Sequence, residues 1–362
     1  MVVDRDGFGA LLEALAASGR TLVGPTVRDR AIVLDEIRGI EDLPRGVGDE
    51  QAPGRYRLRD RGDEALFGFA TSPHSWKHEL LPARVQLVQI RRTGQVEVPP
   101  LPTRAVAYIG VRSCEIAAIE VQDRTLRGVD ADYTARREHV FVLAVNCGSP
   151  AGTCFCVSMN TGPHARGGYD LVATELLDGA HRFLIGVGTE AGRAIIDQVA
   201  HRETTPDDLA AAERIAEHAV ANMGRTMPAT EVRALLMDNL EHPRWREVAD
   251  RCLGCSNCTM SCPTCFCTNV EDTTDLSGDV ATRTRRWDSC FTADFAYVHG
   301  GSVRPNLRAR YRQWLTHKLS TWHDQFGMSG CVGCGRCITW CPVGIDITEE
   351  VAAIRATPKN HG

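Results

Sequence analysis

Two copies of one cysteine pattern in the last third of the chain restrict its fold more than any other feature. Each copy has cysteines at positions i, i+3 and i+6, a fourth cysteine after three further residues, and then a proline. The two runs are Cys252, Cys255, Cys258, Cys262 with Pro263, and Cys331, Cys334, Cys337, Cys341 with Pro342. This spacing places three thiols around one compact loop, and the proline turns the chain out of the loop because its ring fixes φ.

Glycines inside the runs support the same interpretation. Gly254, Gly333 and Gly335 have no Cβ atom, which allows the backbone to fold closely around a central group. Each run therefore predicts a loop wrapped around a bulky centre held by thiolates.

The pattern is typical of the loops that hold [4Fe–4S] clusters in bacterial two-cluster ferredoxins, where the fourth cysteine of each run binds the other cluster. That rule assigns the ligands of two cubes. Cluster one takes Cys252, Cys255, Cys258 and Cys341, and cluster two takes Cys331, Cys334, Cys337 and Cys262. Clusters of this kind pass single electrons, and no residue is predicted to be catalytic.

Structural zinc and disulfide bonds are the competing interpretations of these runs. Zinc sites usually show two separated C-x₂-C pairs or mixed Cys and His ligands. A disulfide framework belongs to secreted chains. Four cysteines in one run, followed by proline and then repeated, match neither arrangement.

Composition and charge exclude several classes of function. The chain has 362 residues, 43% of them apolar and 24% charged, and a net charge of −5, so a role in nucleic-acid binding is not expected. Its N-terminus lacks the pattern of a signal peptide, and no apolar stretch is long enough to span a membrane. We predict a cytoplasmic protein.

The first part of the chain predicts an α+β fold that begins with an α/β-type domain. A helix is predicted over residues 8–17, and strands over 21–23, 31–34, 86–90, 105–111 and 140–145. A helix over 114–121 lies between the last two strands, which predicts a parallel strand pair. The segment 42–54 is rich in glycine, proline and charge and predicts a loop.

Three regions are predicted. Residues 1–205 form the α/β-type domain, 206–240 a helical connector, and 241–355 a helical domain with two [4Fe–4S] clusters. Between the runs, one face of segment 307–326 carries large apolar side chains and predicts a helix packed behind the clusters. A dicluster unit with helices between its runs resembles the helical ferredoxin domain of succinate dehydrogenase and fumarate reductase iron–sulfur subunits.

Seven of the fifteen cysteines lie outside the runs. Four of them follow the predicted parallel strands and predict a third cluster: Cys114, Cys147, Cys154 and Cys156. Cys114 and Cys147 come just after neighbouring strands, whose carboxyl ends share one edge of a sheet. The alternative is that these four are small buried apolar side chains.

The last three cysteines, Cys265, Cys267 and Cys290, are metal-ligand candidates without an assigned site. The segment Thr264–Cys267 repeats the letters of Thr153–Cys156. That repeat indicates packing of the two segments, ligands shared between domains, or chance. These three cysteines are also candidates to replace a ligand of cluster one.

Motifs along nearly the whole chain resemble the β subunit of cytoplasmic bifunctional [NiFe] hydrogenases, also called sulfhydrogenases, and its close relative, the iron–sulfur subunit of anaerobic sulfite reductase. The matching segments are 24–29, 75–78, 80–82, 110–115, 154–156, 161–163, 262–267, 286–290, 317–318 and 331–337. One departure is Ser113-Cys114-Glu115, where the family pattern has Pro-Cys-Asp; the thiol stays in place.

The resemblance implies an electron-transfer subunit without catalytic activity of its own. Such a subunit passes electrons between a flavin subunit that oxidises NAD(P)H and the small subunit of a [NiFe] hydrogenase. The implied partners are therefore that diaphorase and the small and large hydrogenase subunits. The alternatives are the iron–sulfur subunit of a sirohaem sulfite reductase and a redox- or iron-sensing cluster protein. No G-x-G-x-x-G segment follows a strand, so this chain itself is not expected to bind a dinucleotide.

Overall fold

The structure is a computed structural model in which residues 1–357 are described. The strands are β1 Val2–Asp4, β2 Thr21–Arg28, β3 Ala31–Glu36, β4 Val47–Ala52, β5 Arg55–Asp60, β6 Arg84–Arg91, β7 Val96–Glu97, β8 Val106–Val111, β9 Val140–Val145, β10 Leu171–Leu176, β11 Arg182–Val187, β12 Thr268–Thr274, β13 Val280–Trp287, β14 Tyr297–Val298 and β15 Gly301–Ser302.

The helices alternate with these strands in the first part of the chain and dominate the last part. They are α1 Arg5–Ala17, α2 Lys77–Leu80, α3 Ser113–Leu126, α4 Ala131–Glu138, α5 Glu190–Ile196, α6 Pro206–Ala221, α7 Val232–Asp238, α8 Arg244–Arg251, α9 Asn257–Met260, α10 Leu307–Thr316, α11 Trp322–Phe326, α12 Arg336–Thr339 and α13 Ile347–Ala356. A 3₁₀ turn covers Ile40–Asp42, and a π-helical turn, His317–Thr321, joins α10 to α11. None of the described helices has the length and apolar character needed to cross a bilayer.

A seven-stranded sheet organises the first 200 residues, in the order β1-β11-β10-β9-β8-β2-β3. The four central strands are parallel, and the strands at both edges are antiparallel. Within β8, Ala107 and Ile109 face the core that includes α1, whereas Tyr108 faces the core that includes α3. Burial on both faces explains why β8 and β9 are apolar throughout. The predicted parallel pair, β8 with β9, is confirmed.

One loop prediction is wrong. Within the segment 42–54, β4 pairs with β5 as a hairpin. The buried Gln51 amide donates to the Thr71 carbonyl at 3.0 Å, and the Gly54 amide donates to the Ile338 carbonyl at 3.1 Å. These distant partners stabilise a strand whose own sequence has a polar, turn-like composition.

The apolar face predicted for residues 307–326 is buried as expected. Tyr311, Trp314, Leu315 and Trp322 are each less than 5% exposed. Trp245 of α8 packs against Tyr311, which brings the helix that precedes the first cysteine run onto the helix between the runs. This packing fixes the direction from which the chain enters the first run.

A second sheet joins distant parts of the chain in the order β12-β13-β6-β7. Strands β12 and β13 lie between the two cysteine runs, and β6 and β7 belong to the first hundred residues. Strand β6 was predicted, but the β12–β13 hairpin was not. The hairpin brings Cys267, just before β12, close to Cys290, just after β13.

Candidate iron–sulfur centres

Three cysteines of the first run and the fourth cysteine of the second run line one cavity. We call Cys252, Cys255, Cys258 and Cys341 the first thiol group. The Gly254 amide donates to Cys252 Sγ at 3.4 Å, and the Ile345 amide donates to Cys341 Sγ at 3.3 Å. Amide donors of this kind stabilise thiolates that ligate iron. The structure therefore brings together the set that the exchange of fourth cysteines predicts.

The second thiol group is Cys262, Cys331, Cys334 and Cys337. Cys262 lies close enough to the other three to influence the ionisation of each of them. The Gly333 amide donates to Cys331 Sγ at 3.5 Å. The fourth cysteine of the first run thus sits with the second run, again as the spacing predicts.

A buried lysine faces the second thiol group. Lys318 Nζ lies 3.2 Å from Cys262 Sγ and 2.9 Å from Thr264 Oγ1, and Lys318 is only 5% exposed. A hydrogen bond from Cys265 and the Lys318 charge hold the pKa of Cys262 well below its usual value, against the effect of burial. The lowered pKa favours the thiolate form of Cys262, which is the form that binds metal.

Burial has the opposite effect on most of the other thiols. It raises the pKa of Cys331 to about 12 and raises the pKa of Cys258 and Cys337 well above the usual value. A buried thiolate is costly unless a positive charge compensates it. Groups of four thiols, most of them at least partly buried, thus suit a cationic iron centre that stabilises all four as thiolates.

The four cysteines that follow the parallel strands also converge. This third thiol group, Cys114, Cys147, Cys154 and Cys156, lines one cavity at the carboxyl edge of β8 and β9. Cys147 is held by its amide, which donates to the Pro163 carbonyl at 3.1 Å. Burial raises the pKa of Cys156 to about 12 and that of Cys114 well above its usual value. The structure thus brings Cys114 to the same cavity as the other three, and their role as ligands stays a prediction.

The second and third thiol groups adjoin each other at Cys334. Cys334 also lines the cavity of the third thiol group, and its carbonyl lies 3.8 Å from Cys154 Sγ. The Phe155 amide donates to the Gly333 carbonyl at 2.8 Å. The second run and the Cys154–Cys156 segment therefore lie backbone against backbone.

Glycine is required at this junction. Gly333 and Gly335 have φ values of +66° and +77°, and a Cβ atom on Gly333 would lie 2.7 Å from the Cys156 amide nitrogen. Such overlap with backbone cannot be relieved by rotating a side chain. The sequence predicts that these glycines let the backbone fold closely around the second run's own centre. In the structure they also let the second run pack against the backbone of the Cys154–Cys156 segment.

A buried ion pair lies at the same junction. The Arg336 guanidinium contacts the Glu115 carboxylate and donates to the Ser72 and His74 carbonyls at 2.7 and 2.9 Å. Burial alone would lower the pKa of Arg336, but Glu115 and the thiols of Cys334 and Cys114 raise it. Arg336 lies inside the second run, whereas Glu115 lies 221 residues away, so the spacing of the run gives no signal for the pair.

The remaining cysteines, Cys265, Cys267 and Cys290, line a separate cavity that we call the Cys290 cavity. It adjoins the second thiol group through Cys262, whose thiolate accepts a hydrogen bond from Cys265. Cys290 also lies close enough to Cys258 of the first thiol group to influence its ionisation. The sequence pattern identified these three residues but contained no signal for the cavity, because Cys290 is brought there by the β12–β13 hairpin.

The two Thr-Cys-Phe-Cys segments both contact the second run. Thr153 Oγ1 lies 2.8 Å from Thr339 Oγ1, and Thr264 Oγ1 donates to the Gly330 carbonyl at 2.7 Å. One segment thus leads into the third thiol group and the other into the Cys290 cavity. The repeated letters correspond to two loops held against the same element.

Within residues 1–357, no set of three or more Cys, His, Asp or Glu side chains is arranged to hold a single metal ion. A cube makes a different demand on its ligands, because four thiolates bind four different iron atoms. The first and second thiol groups each bring together the four thiols that a cube requires.

Comparison with known proteins agrees with this geometry. Residues 251–345 match the family described as "4Fe-4S dicluster domain". The chain is 32% identical over 251 residues to "Sulfhydrogenase 2 subunit beta" of Pyrococcus furiosus, an alignment that covers 68% of this chain and 73% of that protein. No solved structure matches the chain.

Proposed function

The chain belongs to the sulfhydrogenase β-subunit family, and from that premise we propose that it is an electron-transfer subunit without catalytic residues of its own. It passes electrons between a flavin subunit that oxidises NAD(P)H and the small subunit of a [NiFe] hydrogenase. The family resemblance supports these partners and a cytoplasmic site of action. The division into residues 1–205, 206–240 and 241–355 remains part of the proposal.

The first and second thiol groups are the proposed ligands of the two [4Fe–4S] clusters, and the third thiol group is the proposed ligand set of a third. A bound cube supplies one-electron transfer at an accessible potential. The protein's own residues hold the thiolates, exclude water and place charges beside them. Sulfur hydrogen bonds, burial and the Lys318 and Arg336 charges are the means by which such a chain sets reduction potentials.

One observation supports the proposal most strongly: the three thiol groups adjoin one another in a series. Cys337 of the second group also lines the cavity of the first group, and Cys334 of the second group also lines the cavity of the third group. Cys255 of the first group is exposed, whereas the thiols of the third group that come from Cys114, Cys154 and Cys156 are buried. The exposed first group thus gives one partner access to the series.

Anaerobic purification of the native complex tests this proposal. We expect a flavin subunit, together with both [NiFe] hydrogenase subunits, to accompany the chain, with at least about twelve iron and twelve sulfide in this subunit, the content of three cubes. A sirohaem protein in their place, with sulfite reduction, would contradict the hydrogenase assignment and support the sulfite reductase alternative. Turnover of NADPH and a dye by the isolated chain, without a flavin partner, would contradict a non-catalytic role.

A further inference from the structure

The Cys290 cavity has features of a built site that neither the dicluster match nor the third thiol group explains. It has a volume of about 510 Å³, which is within the range of cofactor and ligand sites. Three thiols and one imidazole line it, namely Cys265, Cys267, Cys290 and His317. All four side chains are at least partly buried.

The elements around the cavity hold these ligands from three directions. Cys265 and Cys267 come from the loop after the first run, and Cys290 comes from the loop after β13. The Asp288 amide donates to the Cys267 carbonyl at 2.9 Å, which ties these two loops together. His317 is the first residue of the π-helical turn between α10 and α11. Single π turns inside helices occur frequently at functional sites, because they redirect side chains from the regular helical positions.

The charge around the cavity suits an anionic centre. Lys318 is next to His317 in the π turn and acts on Cys262, Cys265 and Cys267. Lys77 is buried above the Trp287 ring at 4.0 Å and also acts on Cys265 and Cys267, and Arg304 lines the cavity. Asp288 is the acidic neighbour of Cys267. Three cations against one carboxylate compensate the negative charge that three thiolates bring.

The third thiol group provides an internal comparison. Its Thr-Cys-Phe-Cys segment supplies two thiols, Cys154 and Cys156, and a strand end supplies a further one, Cys147. In the Cys290 cavity the matching segment supplies Cys265 and Cys267, and Cys290 again follows a strand. The fourth donor comes from a helix in both cavities, as Cys114 in the third group and as His317 here. The two cavities therefore have similar donor sets, each with three thiols from a Thr-Cys-Phe-Cys segment and a strand end.

We propose that the Cys290 cavity binds a fourth [4Fe–4S] cluster, held by the thiolates of Cys265, Cys267 and Cys290 and by a ring nitrogen of His317. This goes beyond the proposed function and does not rest on it, because the two clusters of the dicluster domain have their own ligands. The cavity adjoins Cys262, so the fourth centre would lie beside the second thiol group.

The test compares two double variants of the full-length chain, prepared anaerobically, for iron, sulfide and zinc per chain. Cys267→Ala/Cys290→Ala removes two thiols from the Cys290 cavity, and Cys147→Ala/Cys156→Ala is the matched control in the third thiol group. We expect the first double variant to lose about four irons relative to the unmodified chain. No loss of iron in that variant would overturn the proposal, and so would loss of one zinc instead.

A second measurement starts from the unmodified chain, so its main result does not depend on whether a variant folds. With ¹⁵N-labelled histidine, the reduced unmodified chain should show nitrogen hyperfine coupling to a cluster by pulsed EPR. That coupling should disappear in His317→Gln and persist in the control double variant. Absence of the coupling in the unmodified chain would overturn His317 as a ligand. Each of these failures leaves the irons of the two cysteine runs in place and so differs from failure of the proposed function.

Discussion

Arg336 and Glu115 form an ion pair that is almost excluded from water, between two groups of thiols. Their side chains are 1% and 6% exposed. Glu115 also accepts from the Trp76 indole at 3.1 Å and from the Arg112 amide at 3.1 Å. Loss of this carboxylate would leave a buried guanidinium without compensation, which is costly in the low-dielectric interior.

Glu115→Gln is therefore expected to destabilise the protein by about 3–5 kcal/mol. The matched control is Glu120→Gln on the same helix, because Glu120 pairs with Arg124 at the surface, with side chains 58% and 48% exposed. Exposed pairs contribute about 0–1 kcal/mol. Thermal unfolding of the anaerobic protein measures both variants, and equal melting temperatures for the two would contradict the structural role of the pair.

Lys318 is expected to raise the reduction potential of a cluster at the second thiol group. Reduction adds negative charge, and the ammonium 3.2 Å from Cys262 Sγ stabilises that charge. Lys318→Met should lower the midpoint potential of that cluster, whereas Lys318→Arg should preserve most of it. Redox titration followed by EPR measures both. Equal potentials in the Met and Arg variants would show that the charge has no such effect.

At the level of elements, the contact between the second cysteine run and the Cys154–Cys156 segment depends on Gly333. Gly333→Ala would place a Cβ atom 2.7 Å from backbone atoms of that segment and force the two loops apart. We expect this variant to lose the iron of the third thiol group, measured as a fall in iron content. The control is Gly327→Ala, since Gly327 has a similar φ of +72° but no atom within 4 Å of the added Cβ. A fall of the same size in both variants would attribute the loss to backbone strain alone.

Sequence reasoning succeeded where the signal was local in the chain or set by regular pairing. The cysteine spacing placed eight thiols in two groups, and the β8–β9 pair placed Cys114 near Cys147. Reasoning failed where distant segments decide the structure. Strand β4 and the β12–β13 hairpin have polar sequences that do not predict strands. Contacts with distant segments hold both: β13 pairs with β6, and the turn after β4 is hydrogen-bonded to Ile338. The Cys290 cavity and the role of Lys318 depend on that hairpin and on the π turn, so neither had a signal in the sequence.

For the whole molecule, the exposed edge of the first thiol group is the expected contact for one redox partner. Cys255 is the one cysteine of the fifteen, all within the described residues, that is exposed, and its neighbour Leu253 is 65% exposed. Leu253→Asp should weaken electron transfer to that partner without changing iron content or stability. The control is Leu276→Asp on the β12–β13 hairpin, because Leu276 is fully exposed. Steady-state NAD(P)H-linked hydrogenase activity compares them, and equal activities would place the contact elsewhere.

The central claim is that electrons cross this chain through its thiol groups in series, and interruption of the middle group tests it most directly. In the purified complex, Cys334→Ala should remove the cluster of the second thiol group, as seen by EPR and iron content. The account predicts that hydrogen formation driven by NAD(P)H falls to background. Dye reduction by the flavin subunit should continue, and so should dye-linked hydrogen oxidation by the [NiFe] subunits. Hydrogen formation from NAD(P)H at the normal rate, with that cluster absent, would contradict the account.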